Sequence, residues 1–95
     1  MVAITFGERG CYYCTGEGRG YVEGFKVNVV DTTGAGDGFV AGMLCKVLEF
    51  WDDFPGKGEE IFRFANAVGA LTCKKRGAIR GLPTIRGVRR FLREI

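Results

Sequence analysis

The run Asp31-Thr32-Thr33-Gly34-Ala35-Gly36-Asp37 could do chemistry as it stands, and it leads straight into the apolar stretch Phe39, Val40, Ala41, Met43 and Leu44. It closes a β-branched segment (Val27, Val29, Val30) with a carboxylate, offers two hydroxyls for turn and capping contacts, and opens a helix on glycines. The first N–H groups of a helix have no acceptor within it and lie at the positive end of its dipole. Small residues at Gly34, Ala35 and Gly36 let an anion approach those groups closely, which makes the turn a candidate anion site. Asp37 then projects a carboxylate from the first helical turn beside that anion. An anion hole with a base next to it is the equipment of phosphoryl transfer, where positioning and charge stabilisation outweigh base strength. Each residue also has a structural reading: Asp37 as a first-turn carboxylate suiting the dipole, the glycines as what a tight turn needs for φ > 0, and Asp31 as a cap acting through Thr33.

The other reactive residue types say less. Cys11-Tyr12-Tyr13-Cys14 has the spacing of a zinc or redox pair, but the chain has no His and no second such pair. Residues 11–15 also read as a strand, where positions three apart point to opposite faces. Cys45 and Cys73 fall on helical apolar faces and read as packed, reduced thiols. Asn66, inside an apolar helix, needs a hydrogen-bond partner, which a nucleotide or a neighbouring loop backbone would supply. Gly34, Gly36 and Gly38 do not make a dinucleotide fingerprint, because Phe39 stands where the third glycine belongs, and no Gly-x4-Gly-Lys-Ser/Thr run is present.

The elements that must position these groups follow from punctuation and period. Val2–Phe6 reads as a buried strand closed by the turn Gly7–Gly10. The segments 11–15 and 19–22, joined through Gly16 and Gly18, read as a hairpin. Lys26–Val30 reads as the strand feeding the Asp31–Asp37 run. A helix is expected from about Ala35 to Phe50, with Val40, Met43, Leu44 and Val47 as its apolar face and Gly42 at a close packing contact. Trp51–Gly58 reads as a surface loop. A second helix is expected over Glu59–Lys75, with Ile61, Phe62, Ala65, Val68, Gly69 and Leu71 inward and Gly77 as its stop. An extended loop, Ala78–Pro83, leads to Thr84, which caps a last helix running to Ile95. In that helix Ile85, Val88, Leu92 and Ile95 are expected inward, with Arg86, Arg89, Arg90 and Arg93 outward.

Length and composition bound the rest. Ninety-five residues, 46% hydrophobic and 26% charged, allow one domain at most. No apolar run approaches the roughly 18 residues of a membrane span. Met1 runs directly into an apolar strand without the pattern of a signal peptide, so the expected compartment is the cytoplasm. The net charge of +3 is concentrated at the C-terminal end. A basic stripe can bind nucleic acid, but without interleaved aromatics the arginines read as a solvated face.

Taken together, Asp31–Gly42 resembles the C-terminal signature of the ribokinase (PfkB) family of carbohydrate kinases. Thr5–Gly10 resembles that family's nucleotide-binding strand and turn. Ala65–Ala70, Lys75–Ile79 and Leu82–Thr84 resemble its closing segment, and Val22–Val27 is most like fructokinases. The resemblance implies the C-terminal part of a ribokinase-like, doubly wound α/β fold with a mostly parallel sheet, residues 1–95 being its ATP-binding portion. It implies ATP-dependent phosphorylation of a sugar hydroxyl, with a non-catalytic nucleotide-binding fragment, or a kinase for another sugar or nucleoside such as ribose, as the alternatives. Asp37 matches the catalytic base, Gly34, Ala35 and Gly36 match the anion hole, and Thr5, Gly7, Gly10, Gly36 and Asn66 match nucleotide-binding positions. In several relatives a monovalent cation such as K+ is held at positions matching Asp31, Thr33, Thr72, Lys75, Gly77 and Gly81. Here Arg80-Gly81 stands where fructokinases commonly have Pro-Ala. Mg2+ is implied with ATP, from an acidic motif upstream of this region. Family members are roughly three times this length, an ordinary size for such enzymes, and their sugar-binding half precedes the matching region. The chain is therefore expected to form a homodimer or to act with a companion chain that supplies that half, and to be inactive without the missing half.

Overall fold

The computed structural model describes residues 1–74 and 83–94. Three short strands come first: β1 (Val2–Thr5), β2 (Cys11–Cys14) and β3 (Arg19–Val22). They form one sheet in the order β1-β2-β3, antiparallel throughout, with Thr5 opposite Cys11 and Cys11 opposite Val22. Links of five and four residues permit only antiparallel neighbours, since a parallel pair needs a long crossover. The mostly parallel sheet expected from the sequence is therefore not what the described residues form.

The expected strand at 26–30 is extended chain without a strand partner among the described residues. β-branched residues favour a pleated surface only when a neighbouring strand completes it. Here the Val30 N–H goes instead to the carbonyl of Cys73, at 2.7 Å.

Helix α1 (Ala35–Glu49) and helix α2 (Gly58–Thr72) pack against each other, and α2 also touches β2, β3 and the last helix, α3 (Ile85–Arg93). That central position explains why α2 is buried on most of its circumference. Phe62 is fully buried between the ring of Tyr13, stacked at 5.1 Å, and that of Phe39, at 6.0 Å. Around it lie Cys11, Val22, Val47, Ile61 and Ala65, which form the main core. A side chain of this size fully removed from water contributes about 1.5–3 kcal/mol. A second cluster joins α2 to α3 through Phe64, Ala67, Val68 and Val88. α3 starts where Thr84 accepts a hydrogen bond from the N–H of Gly87, and its four arginines are exposed as expected.

Several boundaries differ from the sequence reading. The loop after α1 contains a single tight helical turn at Phe54–Gly56, started by Pro55. It is tied to the hairpin by Thr15, whose hydroxyl donates to the Pro55 carbonyl at 2.6 Å. α2 begins at Gly58 and ends at Thr72. The expected stop at Gly77 and most of the 78–83 loop lie outside the described residues, and α3 ends at Arg93, short of the expected end at Ile95. Ile85 points outward. The expected inner face of α1 is split: Met43 and Val47 face the core with Phe39, while Val40 and Leu44 face outward. β1 was read as buried, yet Val2 and Ile4 are exposed, because nothing in the described structure covers the outer face of the sheet.

Candidate active site

The Asp31–Asp37 run folds as a turn that delivers the chain into α1. Thr33 N–H donates to Oδ1 of Asp31 at 2.9 Å, so the carboxylate braces the turn as well as ending the extended segment. Gly34 has φ of 81°, a left-handed conformation that side chains resist, and its carbonyl accepts the Gly38 N–H at 2.8 Å, which starts the helix. Ala35 N–H turns back to the Thr32 carbonyl. The N–H groups of Gly36 and Asp37 donate to no acceptor among the described residues. They are free donors at a helix N-terminus, the arrangement that suits an anion. Gly36 differs from Gly34 in kind. Its φ is not positive, and a Cβ built on it would meet nothing within 4 Å. Neither conformation nor packing requires glycine there; clearance for something outside the protein would.

Beside this turn lies a mainly apolar cleft of about 350 Å³, within the range of small-molecule sites. Of the residues singled out from sequence, Thr5, Gly7, Ala35, Gly36 and Asn66 line it together. They come from three separate stretches of chain, so their convergence is a property of the fold. Gly34, Asp37, Asp31 and Thr33 border the same turn without lining the cleft. Asp37 is exposed on the first turn of α1.

Gly10 does not line the cleft. It is buried at φ of 106°, and a Cβ there would collide with the Val22 carbonyl and with the backbone of Gly24. Asn66 lines the cleft, but its amide also donates to the carbonyls of Val22 and Glu23, at 3.3 and 3.2 Å. It thus holds the segment that leads to the cleft wall. Burial pushes the thiol of Cys11 above its usual pKa, and the hydrogen bond to Asn66 opposes this. On β2, Cys11 is in the core and Cys14 is exposed, as the alternation of a strand requires.

The candidate cation positions are only partly described. The carbonyl of Cys73 accepts from both Val30 and Asp31, at 2.7 and 3.1 Å, which brings the end of α2 against the Asp31 turn. Thr72 is fully buried, with its hydroxyl donating to Val68 at 2.8 Å, leaving its carbonyl as the group of interest. Lys75, Gly77 and Gly81 lie outside the described residues.

Sequence reasoning missed most of the cleft walls: Phe25, Val27 and Val29 on one side, Gly69, Ala70 and Cys73 on the other. The signals were present. Val27 and Val29 are two apart and share one side of an extended chain. Gly69, Ala70 and Cys73 stand three, four and seven positions after Asn66, a stripe of small residues along α2 and just beyond it. Burial and the negative charge of Asp31 both raise the pKa of the Cys73 thiol, burial more strongly.

Residues 1–85 match the family described as pfkB family carbohydrate kinase, and the chain belongs to that family. Fructokinase-2 of Oryza sativa subsp. japonica is 46% identical over 87 residues, covering 90% of this chain and 26% of the relative. A fructokinase from Xylella fastidiosa, solved with bound ATP, superposes with a TM-score of 0.89 at 32% identity, covering 97% of this chain and 31% of that one. A fructokinase from Vibrio cholerae O395, solved with fructose, ADP and calcium ion, gives 0.84 at 33% identity, covering 95% and 30%. The chain spans less than a third of the length of each of these relatives. Among the described residues no helix is long and apolar enough to cross a membrane.

Proposed function

We propose that residues 1–95 are the ATP-binding C-terminal portion of a fructokinase-like sugar kinase. The observation that carries this reading is the pair of free N–H donors at Gly36 and Asp37, opening beside the cleft at a glycine the protein itself does not require. Family membership and the ATP-bound and fructose-bound relatives support it.

In this reading the nucleotide occupies the cleft, its apolar walls taking the base, and the γ-phosphoryl group meets the free N–H donors of Gly36 and Asp37, the Ala35 N–H being taken by the Thr32 carbonyl. Asp37 accepts the proton of a sugar hydroxyl as its oxygen bonds to phosphorus and the bond to ADP breaks. The turn stabilises the charge spread over the transferring group; a comparable donor contributes about 10²–10³-fold in rate elsewhere. Thr5 and Gly7 shape the cleft floor, and Asn66 fixes the 22–23 backbone while presenting itself to the cleft. Mg2+ would accompany ATP and neutralise phosphate charge when bound. Asp31, Thr33 and the carbonyls from Thr72 onward, with Lys75, Gly77 and Gly81, would hold K+; backbone oxygens suit a hard cation. The mostly parallel, doubly wound sheet belongs to the complete domain, where the 26–30 segment gains strand neighbours. The sugar-binding half comes from further polypeptide or from a companion chain. Four free cysteines and the use of ATP fit the cytoplasm.

Calorimetric titration of the folded chain with a non-hydrolysable ATP analogue and Mg2+ tests the reading. Saturable binding is expected, weakened at least tenfold in Gly36→Val, which fills the clearance at the turn. Binding unaffected by that change would remove the anion-hole role.

A further inference from the structure

Phe25 is shared between the cleft and the body of the protein. It lines the cleft and also packs against the second core cluster, where the ring of Phe91 from α3 makes a T-shaped contact with it at 5.2 Å. The guanidinium of Arg63, from α2, lies over the same ring at 5.3 Å, within the range of a cation–π contact. Arg63 itself is exposed and does not line the cleft. Glu59 and Glu60 precede it by four and three positions, the spacing of helical ion pairs, yet among the described residues it pairs with neither. Its partner is the ring. Three residues further along the same side of α2, Asn66 holds the carbonyls of Val22 and Glu23 at 3.3 and 3.2 Å. α2 thus fixes both the chain that leads to Phe25 and the ring. Phe39, the other aromatic residue lining the cleft, is locked in the main core, so Phe25 is the ring whose place depends on these outer contacts.

We infer that Arg63 is a positioning residue for the nucleotide: by lying over the ring of Phe25 it holds the part of the cleft wall that the base packs on. This rests on the ATP-binding reading above and adds a residue outside the cleft that sets its affinity. The base, rather than the phosphates, is what reaches Phe25. Residues 25–30 are extended and end at the Asp31 turn, about 20 Å from Phe25 at roughly 3.3 Å per residue. A nucleotide whose γ-phosphoryl group meets Gly36 and Asp37 keeps its phosphates at the near end of this wall and turns its base toward the far one. Removing the guanidinium leaves the ring with Phe91 alone to hold it. Binding the base must then order the ring again, and that ordering lowers affinity.

The test is a cycle of variants of the full chain, each titrated calorimetrically with a non-hydrolysable ATP analogue and Mg2+. Arg63→Gln is expected to weaken binding about three- to fivefold, the scale of one exposed cation–π contact, with little change in melting temperature. Arg63→Lys, which keeps a cation for the ring, should recover most of that loss. Phe25→Leu should weaken binding by itself, and adding Arg63→Gln to it should then cost nothing further. A long-range charge effect or a merely structural role would persist in the Phe25→Leu background, and that result overturns the inference. Phe25→Met completes the same cycle if the leucine variant does not fold. Arg63→Gln binding as tightly as the parent also overturns the inference, while parent binding that is lost in Gly36→Val still upholds the nucleotide reading. A folded parent that binds no analogue overturns both.

Discussion

Two glycines two positions apart meet different demands. Gly34 is held at φ of 81°, so replacing it forces a side chain into a conformation costing about 1–2 kcal/mol. Gly36 has ordinary backbone angles and open space where a Cβ would stand. Gly34→Ala should therefore lower the thermal midpoint, whereas Gly36→Ala should leave it unchanged or raise it slightly, since alanine is the better helix former. Scanning calorimetry of the two variants separates these outcomes; equal losses would show that the turn needs both glycines for folding. Asp37 makes a different prediction. It is exposed, so Asp37→Asn should fold normally and bind the ATP analogue with nearly unchanged affinity. In the kinase assembled with its sugar-binding part, turnover should fall about 10²–10⁴-fold, the contribution of a positioned base. Steady-state kinetics within a few-fold of the parent would remove Asp37 from the proton transfer.

At the scale of elements, the N-terminus of α1 is fixed by contact with the end of α2. A Cβ on Gly38 would stand 2.6 Å from Oγ1 of Thr72 and 3.5 Å from Val68. Gly38 is thus what allows the hydroxyl of Thr72 to sit against the first turn of α1. Gly38→Ala should destabilise by about 1–3 kcal/mol through overpacking. In a Thr72→Ala background the same change should become neutral or stabilising, because the helix preference for alanine is then unopposed. Denaturant unfolding of the two single variants and the double variant measures the coupling, and additive effects would mean that the contact is absent. How far the elements were legible follows the same logic. The hairpin, the three helices and the Thr84 cap depend on local turn residues and period, and they appear where those signals stand. The 26–30 strand depends on neighbours, and β-branched residues alone do not supply them. The Gly38–Thr72 contact joins residues 34 apart in sequence, so no local pattern announces it. The site itself was legible as a turn and a set of separate positions, while the cleft that unites them required α2 to be placed.

At the scale of the whole molecule, the two apolar faces of α1 explain why the sequence assigned Val40 and Leu44 inward. Periodicity identifies a helix and its apolar residues, but a helix apolar on both sides has no face that periodicity can prefer. Only the packing of Phe39, Met43 and Val47 against α2 and its neighbours decides which side this chain buries itself. The other side leaves Val40, Leu44 and Leu48 in water, and the sheet leaves Ile4, Tyr12 and Tyr21 outward along one row in register. Contiguous exposed apolar surface of this kind marks an interaction site on a folded protein. The isolated chain should therefore bind the dye ANS while melting cooperatively, a combination that distinguishes a native apolar surface from a loosened core. Leu44→Lys/Leu48→Glu should reduce the dye emission by about half or more with little change in melting temperature, because exposed substitutions away from special contacts usually shift stability by no more than about 0.5 kcal/mol. A parallel loss of emission and cooperativity would mean that these leucines help hold the fold. Unchanged emission would assign the dye to the sheet face and not to the outward leucines of α1.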